Sequence, residues 1–250
     1  MGVRFGVEFC ANYPPPGDRC YQPDLSYSAQ LAMSLVMQMR QRGHSEIFVH
    51  GDAAAWSSDF DHPDFGGNSL NKIDNVHFCY YSGHGGHAGF DGRRVQVLGF
   101  TTNHAPPGLA PCHTMSAQWR LGVGQLKWFL LDSCVLVKST DANHVVEVWD
   151  PPTQGVHLLL GVIDLQYVGP NTYWRRVRFV DAASNGWPLT TAWLDTAYGA
   201  EYPNWPVTRP IVIAAGATRD EALNRLQNET LGWAFTGPSA SNWLAWRWRQ

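Results

Sequence analysis

No two cysteines in this chain stand two residues apart, and their number is odd: Cys10, Cys20, Cys79, Cys112 and Cys134. A closed zinc site built from cysteine pairs is therefore not expected. Charge is scarce as well. Asp, Glu, Lys and Arg make up 16% of the 250 residues, and the net charge is −3. The basic residues are scattered, with no tract to follow a phosphate backbone, so a nucleic-acid partner is not expected. No apolar window approaches the length of a membrane span. The start, "MGVRFGVEFCANYPPPGD", lacks the basic residues, long apolar core and small-residue cleavage site of a secretory leader, which favours the cytoplasm. Free thiols are the expectation there; Cys10 and Cys20 are the pair to consider if the protein is secreted. Repeats, heptads and low-complexity tracts are lacking too.

What the chain does have is apolar bulk: 44% hydrophobic residues, 12 of them Trp. That is ample for one domain spanning 1–250. Six short apolar runs read as strands: residues 3–11, 45–52, 76–82, 126–133, 156–163 and 210–216. They are near-continuous rather than alternating, which marks strands covered on both faces. Helical patterns lie between several of them. In 28–42, Ala32, Leu35, Val36 and Met39 share one face and Gly43 suits the position just past the end. Residues 142–149 and 188–197 repeat the pattern, the latter with Pro188 as first helical residue. Thr218 and Glu221 form a capping-box pattern. The expected fold is a three-layer α/β/α sandwich around a mostly parallel, six-stranded sheet.

Ligands in such sheets bind beyond the carboxyl ends of the strands. Two strands end on reactive residues, His84 in "YYSGHGG" and Cys134 in "WFLLDSCVL". Parallel neighbours lie about 4.8 Å apart. Two such ends side by side bring an imidazole to a thiol, as a cysteine nucleophile requires. Gly83 and Gly85 allow a sharp turn and close approach of a substrate backbone. The amides of Gly85 and Cys134 are candidate oxyanion donors. Cys79, inside its strand, reads as core. Cys112, in a Pro-rich loop beside His113, is a weaker nucleophile candidate.

These two blocks resemble the caspase-like cysteine peptidases, which include caspases, metacaspases, legumains, gingipains and separases. "YSGHG" and "DSC" are most similar to metacaspases, and the 50 residues between His84 and Cys134 suit the caspase spacing. The whole chain resembles a caspase-like family with "YYSGHG", an "LDSC" strand, a "GVHLLLG" segment (155–161) and an "AWLDTA" helix (192–197). The resemblance implies a six-stranded caspase-like sheet, His84 as general acid/base, Cys134 as nucleophile, an oxyanion site at Gly85, a peptide or protein substrate and no cofactor. Asp132 matches a position lining the S1 pocket, where a carboxylate favours Arg or Lys. Two departures matter. "DSC" continues as "VLVKST", so calcium dependence is not implied, and "QACRG" is missing, so neither is Asp specificity.

Competing readings stay open. One is a non-catalytic binding or scaffold protein on the same fold. Another is a metal-dependent hydrolase using His84, His87 and Asp91, or His50 and Asp52; the site expectation is no metal. His87 reads as a rim residue, and His157 as a hydrogen-bonded core histidine. "AWSSDFDHPDFGG" lacks EF-hand spacing and reads as a solvated loop. The C-terminal "NWLAWRWRQ" reads as a last element with tryptophans packed inward and arginines outward.

Overall fold

The computed structural model describes residues 2–104, 112–232 and 241–250. In chain order the elements are β1 (Arg4–Phe9), α1 (Ser28–Gln41), β2 (Ser45–Gly51), β3 (Phe78–Ser82), β4 (Gly85–Phe90), β5 (Arg93–Gly99), β6 (His113–Met115), β7 (Trp128–Asp132), α2 (Ala142–Trp149), β8 (Leu158–Ile163), α3 (Pro170–Ser184), α4 (Leu189–Ala197), β9 (Gly199–Ala200), β10 (Val207–Gly216), α5 (Arg219–Asn228) and β11 (Trp243–Trp248). Five short 3-10 turns fill the stretch between β2 and β3.

The main sheet runs β11-β10-β8-β7-β3-β1-β2, with β9 paired to β10. β2, β1, β3, β7 and β8 are parallel; β10 and β11 are antiparallel to their neighbours. All six predicted strands lie in it, and β9 and β11 raise the number to eight. A separate three-stranded sheet, β4-β5-β6, follows the His84 turn.

Strand alternation divides the core in two. Phe5, Val7, Phe78, Tyr80, Trp128, Leu130 and Leu160 face α1, α3 and α4, which contribute Leu35, Phe179 and Trp193. Cys79, Tyr81, Phe129, Leu131 and Leu159 face the other way, onto α2 and an aromatic cluster of Phe60, Phe100, Trp119 and Trp149. Burial on both sides is why these strands are apolar at successive positions. The helix signals act as expected at several ends. Gly43 takes φ +81 just past α1, and its amide donates to Arg40 O. Thr218 Oγ1 accepts the Glu221 amide at 3.2 Å. Pro188 is the residue before α4, one position earlier than expected.

Three expectations need correction. Cys20 is bonded to Cys112, with Cα atoms 5.3 Å apart, so neither the Cys10–Cys20 pair nor a full set of free thiols holds. Residues 105–111 of the Pro-rich loop before Cys112 lie outside the described residues. The "AWSSDFDHPDFGG" segment is not a solvated loop: Asp59 and Asp61 are buried. Asp61 accepts a hydrogen bond from Thr114 Oγ1. The C-terminal tryptophans do not all face inward. β11 is an edge strand in which Trp246 packs on the core and bonds Thr140 O, while Trp243 and Trp248 are exposed.

Candidate active site

β3 and β7 are direct parallel neighbours, with Ser82 opposite Asp132. The chain leaves both at the same edge, so His84 and Cys134 follow adjacent strand ends. Both line one cavity of about 230 Å³, with Gly83, Asp132, Ser133 and Gln166. Across His84 lies a second hollow of about 270 Å³, walled by Gly85, His87 and His113.

Gly85 is where the two ends touch. A Cβ there would lie 2.6 Å from Ser133 Oγ and 2.9 Å from Cys134 O. Glycine is therefore needed for the protein's own backbone packing, besides any approach by a substrate. Gly83 is restricted similarly, with Tyr81 Oη 2.4 Å from the position of a Cβ.

His84 is held from several sides. Its Nε2 lies 2.7 Å from Pro23 O. A carbonyl can only accept, so Nε2 is the donor in this contact and Nδ1 is the ring nitrogen left for proton exchange. Its backbone N–H donates to Tyr13 Oη at 3.2 Å, and the two rings stand 5.0 Å apart. Tyr13 in turn donates to Gly99 O. Pro23 and Tyr13 precede α1 and were not singled out from sequence. A backbone carbonyl leaves no residue-type signal, and "NYPPPGD" reads as a loop. The Cys20–Cys112 link sits three residues before Pro23, tying that segment to the chain just ahead of β6.

Cys134 is partly buried. Its Sγ lies 3.7 Å from Gln166 O, and the Gln166 amide donates to it at 3.5 Å. Burial raises the thiol above its ordinary pKa, the Gln166 amide offsets part of this, and Asp132 adds to it. The resting group is thus a thiol that needs a base, not a pre-formed thiolate. The next residue, Val135, has φ +61, and its amide donates to Asp164 O at 2.6 Å. A β-branched residue in the left-handed region is strained. The strained turn therefore follows the sulfur-bearing residue directly. The other free thiols are buried in the core: Cys79, as expected, and Cys10, which burial pushes up to about 12.

Asp132 does not present a free carboxylate. Arg176 of α3 grips both oxygens, one at 2.6 Å, Tyr80 Oη donates to Oδ2 at 2.7 Å, and Gln166 Nε2 donates to Oδ1. Asp132 and Arg176 are both buried, and the guanidinium stacks 4.5 Å over Trp193. The expectation that Asp132 reads a substrate Arg or Lys is corrected: its charge is already matched inside the protein. His157 is a core histidine, with Nδ1 2.9 Å from Glu229 Oε1. His87 stands 5.3 Å from the His144 ring rather than in a metal set. Among the described residues, three groups able to ligate one ion come together at Glu8, His50 and Asp59, not at His84, His87 and Asp91. No described helix is long and apolar enough to cross a membrane.

The family model described as "Domain of unknown function (DUF6345)" matches residues 7–250. The chain belongs to this family. The match covers every element described above except the first residues of β1. No curated protein matches the sequence. Among solved structures, the DUF6345 chain is similar to the crystal structure of the Arg specific cysteine proteinase gingipain R, at 13% identity and a TM-score of 0.43. That likeness covers 95% of this chain and 47% of the other, so the chain spans about half the length of that structure.

Proposed function

We propose that this protein is a cysteine peptidase in which Cys134 is the nucleophile and His84 the general acid/base. The carrying observation is that both residues follow the ends of paired parallel strands and line one cavity, with His84 Nε2 tied to Pro23 O. Nδ1 then takes the thiol proton as sulfur bonds to the peptide carbonyl carbon. The C–N bond breaks and the imidazolium gives its proton to the departing amine. Water next loses a proton to Nδ1 and attacks the thioester, and the regained proton returns to sulfur. The amides of Gly85 and Cys134 are the proposed donors to the developing oxyanion.

The test compares wild type with Cys134→Ala against a diverse peptide library, with iodoacetamide labelling read by mass spectrometry. Cleavage by wild type, lost in Cys134→Ala and on alkylation, is expected. Equal activity, or equal inactivity, in the two proteins refutes the dyad. A second reading, a non-catalytic binding module, draws on the partly buried Cys134 thiol, which burial raises above its ordinary pKa, and on its Gln166 contacts. It predicts peptide binding in the cavity without turnover by either protein.

A further inference from the structure

Glu8 of β1 and His50 of β2 are cross-strand neighbours in register, and Asp59 reaches them from the second 3-10 turn after β2. Glu8 is 0% and Asp59 1% exposed, and none of their four carboxylate oxygens has a hydrogen-bond partner. His50 Nδ1 is buried and makes no hydrogen bond either. Two buried carboxylates in that state are costly, because the water they have lost is only partly made good by the one cation nearby. Their ligand atoms converge: all lie within 4.8 Å of one another, with His50 Nδ1 3.5 Å from Glu8 Oε1 and 3.6 Å from Asp59 Oδ2. Ligands about 2.1 Å from a tetrahedral ion stand about 3.4 Å apart. One nearby cation competes, Lys72, with Nζ 3.5 Å from Asp59 Oδ2. It neutralises one charge of two, and its side chain, 27% exposed, has a path to water. Burial, and then Asp59, push the Glu8 carboxyl well above the usual carboxylate range, with Lys72 and the Trp56 backbone pulling the other way.

We propose that Glu8, His50 and Asp59 form a binding site for one divalent transition-metal ion of the zinc class. An imidazole donor beside two carboxylates suits zinc and disfavours calcium and magnesium, which take oxygen. The ion fastens the 52–75 segment, made largely of 3-10 turns, to the first two strands of the sheet. The site lies apart from the His84–Cys134 cavity and does not depend on the peptidase reading. It replaces the expectation that no metal is bound.

The test uses the full chain, stripped with chelator and desalted, then titrated with Zn²⁺ by calorimetry and assayed for bound metal. Wild type and Cys134→Ala are expected to take up one Zn²⁺ per chain. Glu8→Gln and Asp59→Asn should weaken binding on the order of a hundredfold. Lys72→Met, which removes the competing charge, should tighten it roughly tenfold. With chelator, Glu8→Gln should melt no lower than wild type, since it replaces a buried carboxyl that makes no hydrogen bond; with Zn²⁺, the melting temperature should rise in wild type and Cys134→Ala, and far less in Glu8→Gln. No uptake by folded wild type, preference for Ca²⁺, or binding that survives Glu8→Gln but is lost in Cys134→Ala each overturns the site. If Glu8→Gln does not fold, Lys72→Met decides: unchanged or weaker binding refutes the proposal.

Discussion

Replacing Asp132 by alanine separates two roles for one carboxylate. Its oxygens hold the buried Arg176 guanidinium and accept from Tyr80 and Gln166. The substitution strands a cation that is 1% exposed, with Trp193 as a remaining neighbour at 4.5 Å. Breaking a buried pair from one side costs about 3–5 kcal/mol. In a chain of this size that lowers the melting temperature by on the order of 6–20 °C. The double variant Asp132→Ala/Arg176→Met removes the stranded charge and should regain at least half of the loss. Urea unfolding of wild type, both single variants and the double variant measures the cycle. If Asp132→Ala unfolds within about 1 kcal/mol of wild type, Asp132 is not an internal anchor and the substrate-reading role returns.

Gly85→Ala should cost about 1–3 kcal/mol and abolish any Cys134-dependent cleavage, because a Cβ there meets Ser133 and Cys134. Gly86→Ala, with nothing within 4 Å of its Cβ, should be silent in both assays. His87, lowered to about 4 by burial and then by His144, stays neutral in the fold while the unfolded chain protonates. Its contribution to stability is therefore full above about pH 6.5 and is lost as pH falls toward 4; denaturant unfolding across that window should lose this slope in His87→Gln. The Cys20–Cys112 bond should appear as a mass increase of about 2 Da on reduction, a bond suited to an oxidising compartment. Cys20→Ala/Cys112→Ala should lower stability by about 2–5 kcal/mol.

The six strands of the main sheet were readable because burial on both faces writes an unbroken apolar run, as in "FCYYS" and "WFLLD". β4 and β5 were not: "GGHAGF" and "RRVQVLG" mix glycine and arginine, no residue of β4 is fully buried, and β5 begins on two exposed arginines. α3 escaped for a different reason. Its buried face includes Arg175 and Arg176, so "PNTYWRRVRF" reads as polar until the partners of those arginines are known. The reactive pair was visible because each member follows a legible strand. What holds the pair was not: Pro23 acts through its carbonyl, and Arg176 meets Asp132 across 44 residues. Glu8, His50 and Asp59 come from two strands and a turn, with no spacing to give them away. The disulfide joins positions 92 apart, beyond any local pattern.

The order of strands also sets an order in time. After β3 has paired with β1, every later strand of the main sheet is laid on the same side: β7, then β8, β10 and β11. In sequence order the sheet therefore has one advancing edge, which β11 occupies in the finished fold. Until Trp243–Trp248 arrives, the exposed border is β10, with Ile211, Val212 and Ile213 in succession. Such a border invites pairing with another copy. β11 brings Arg247 and exposed tryptophans to that border, so a charge and bulky rings stand where a bare apolar strand would otherwise offer itself to a second copy.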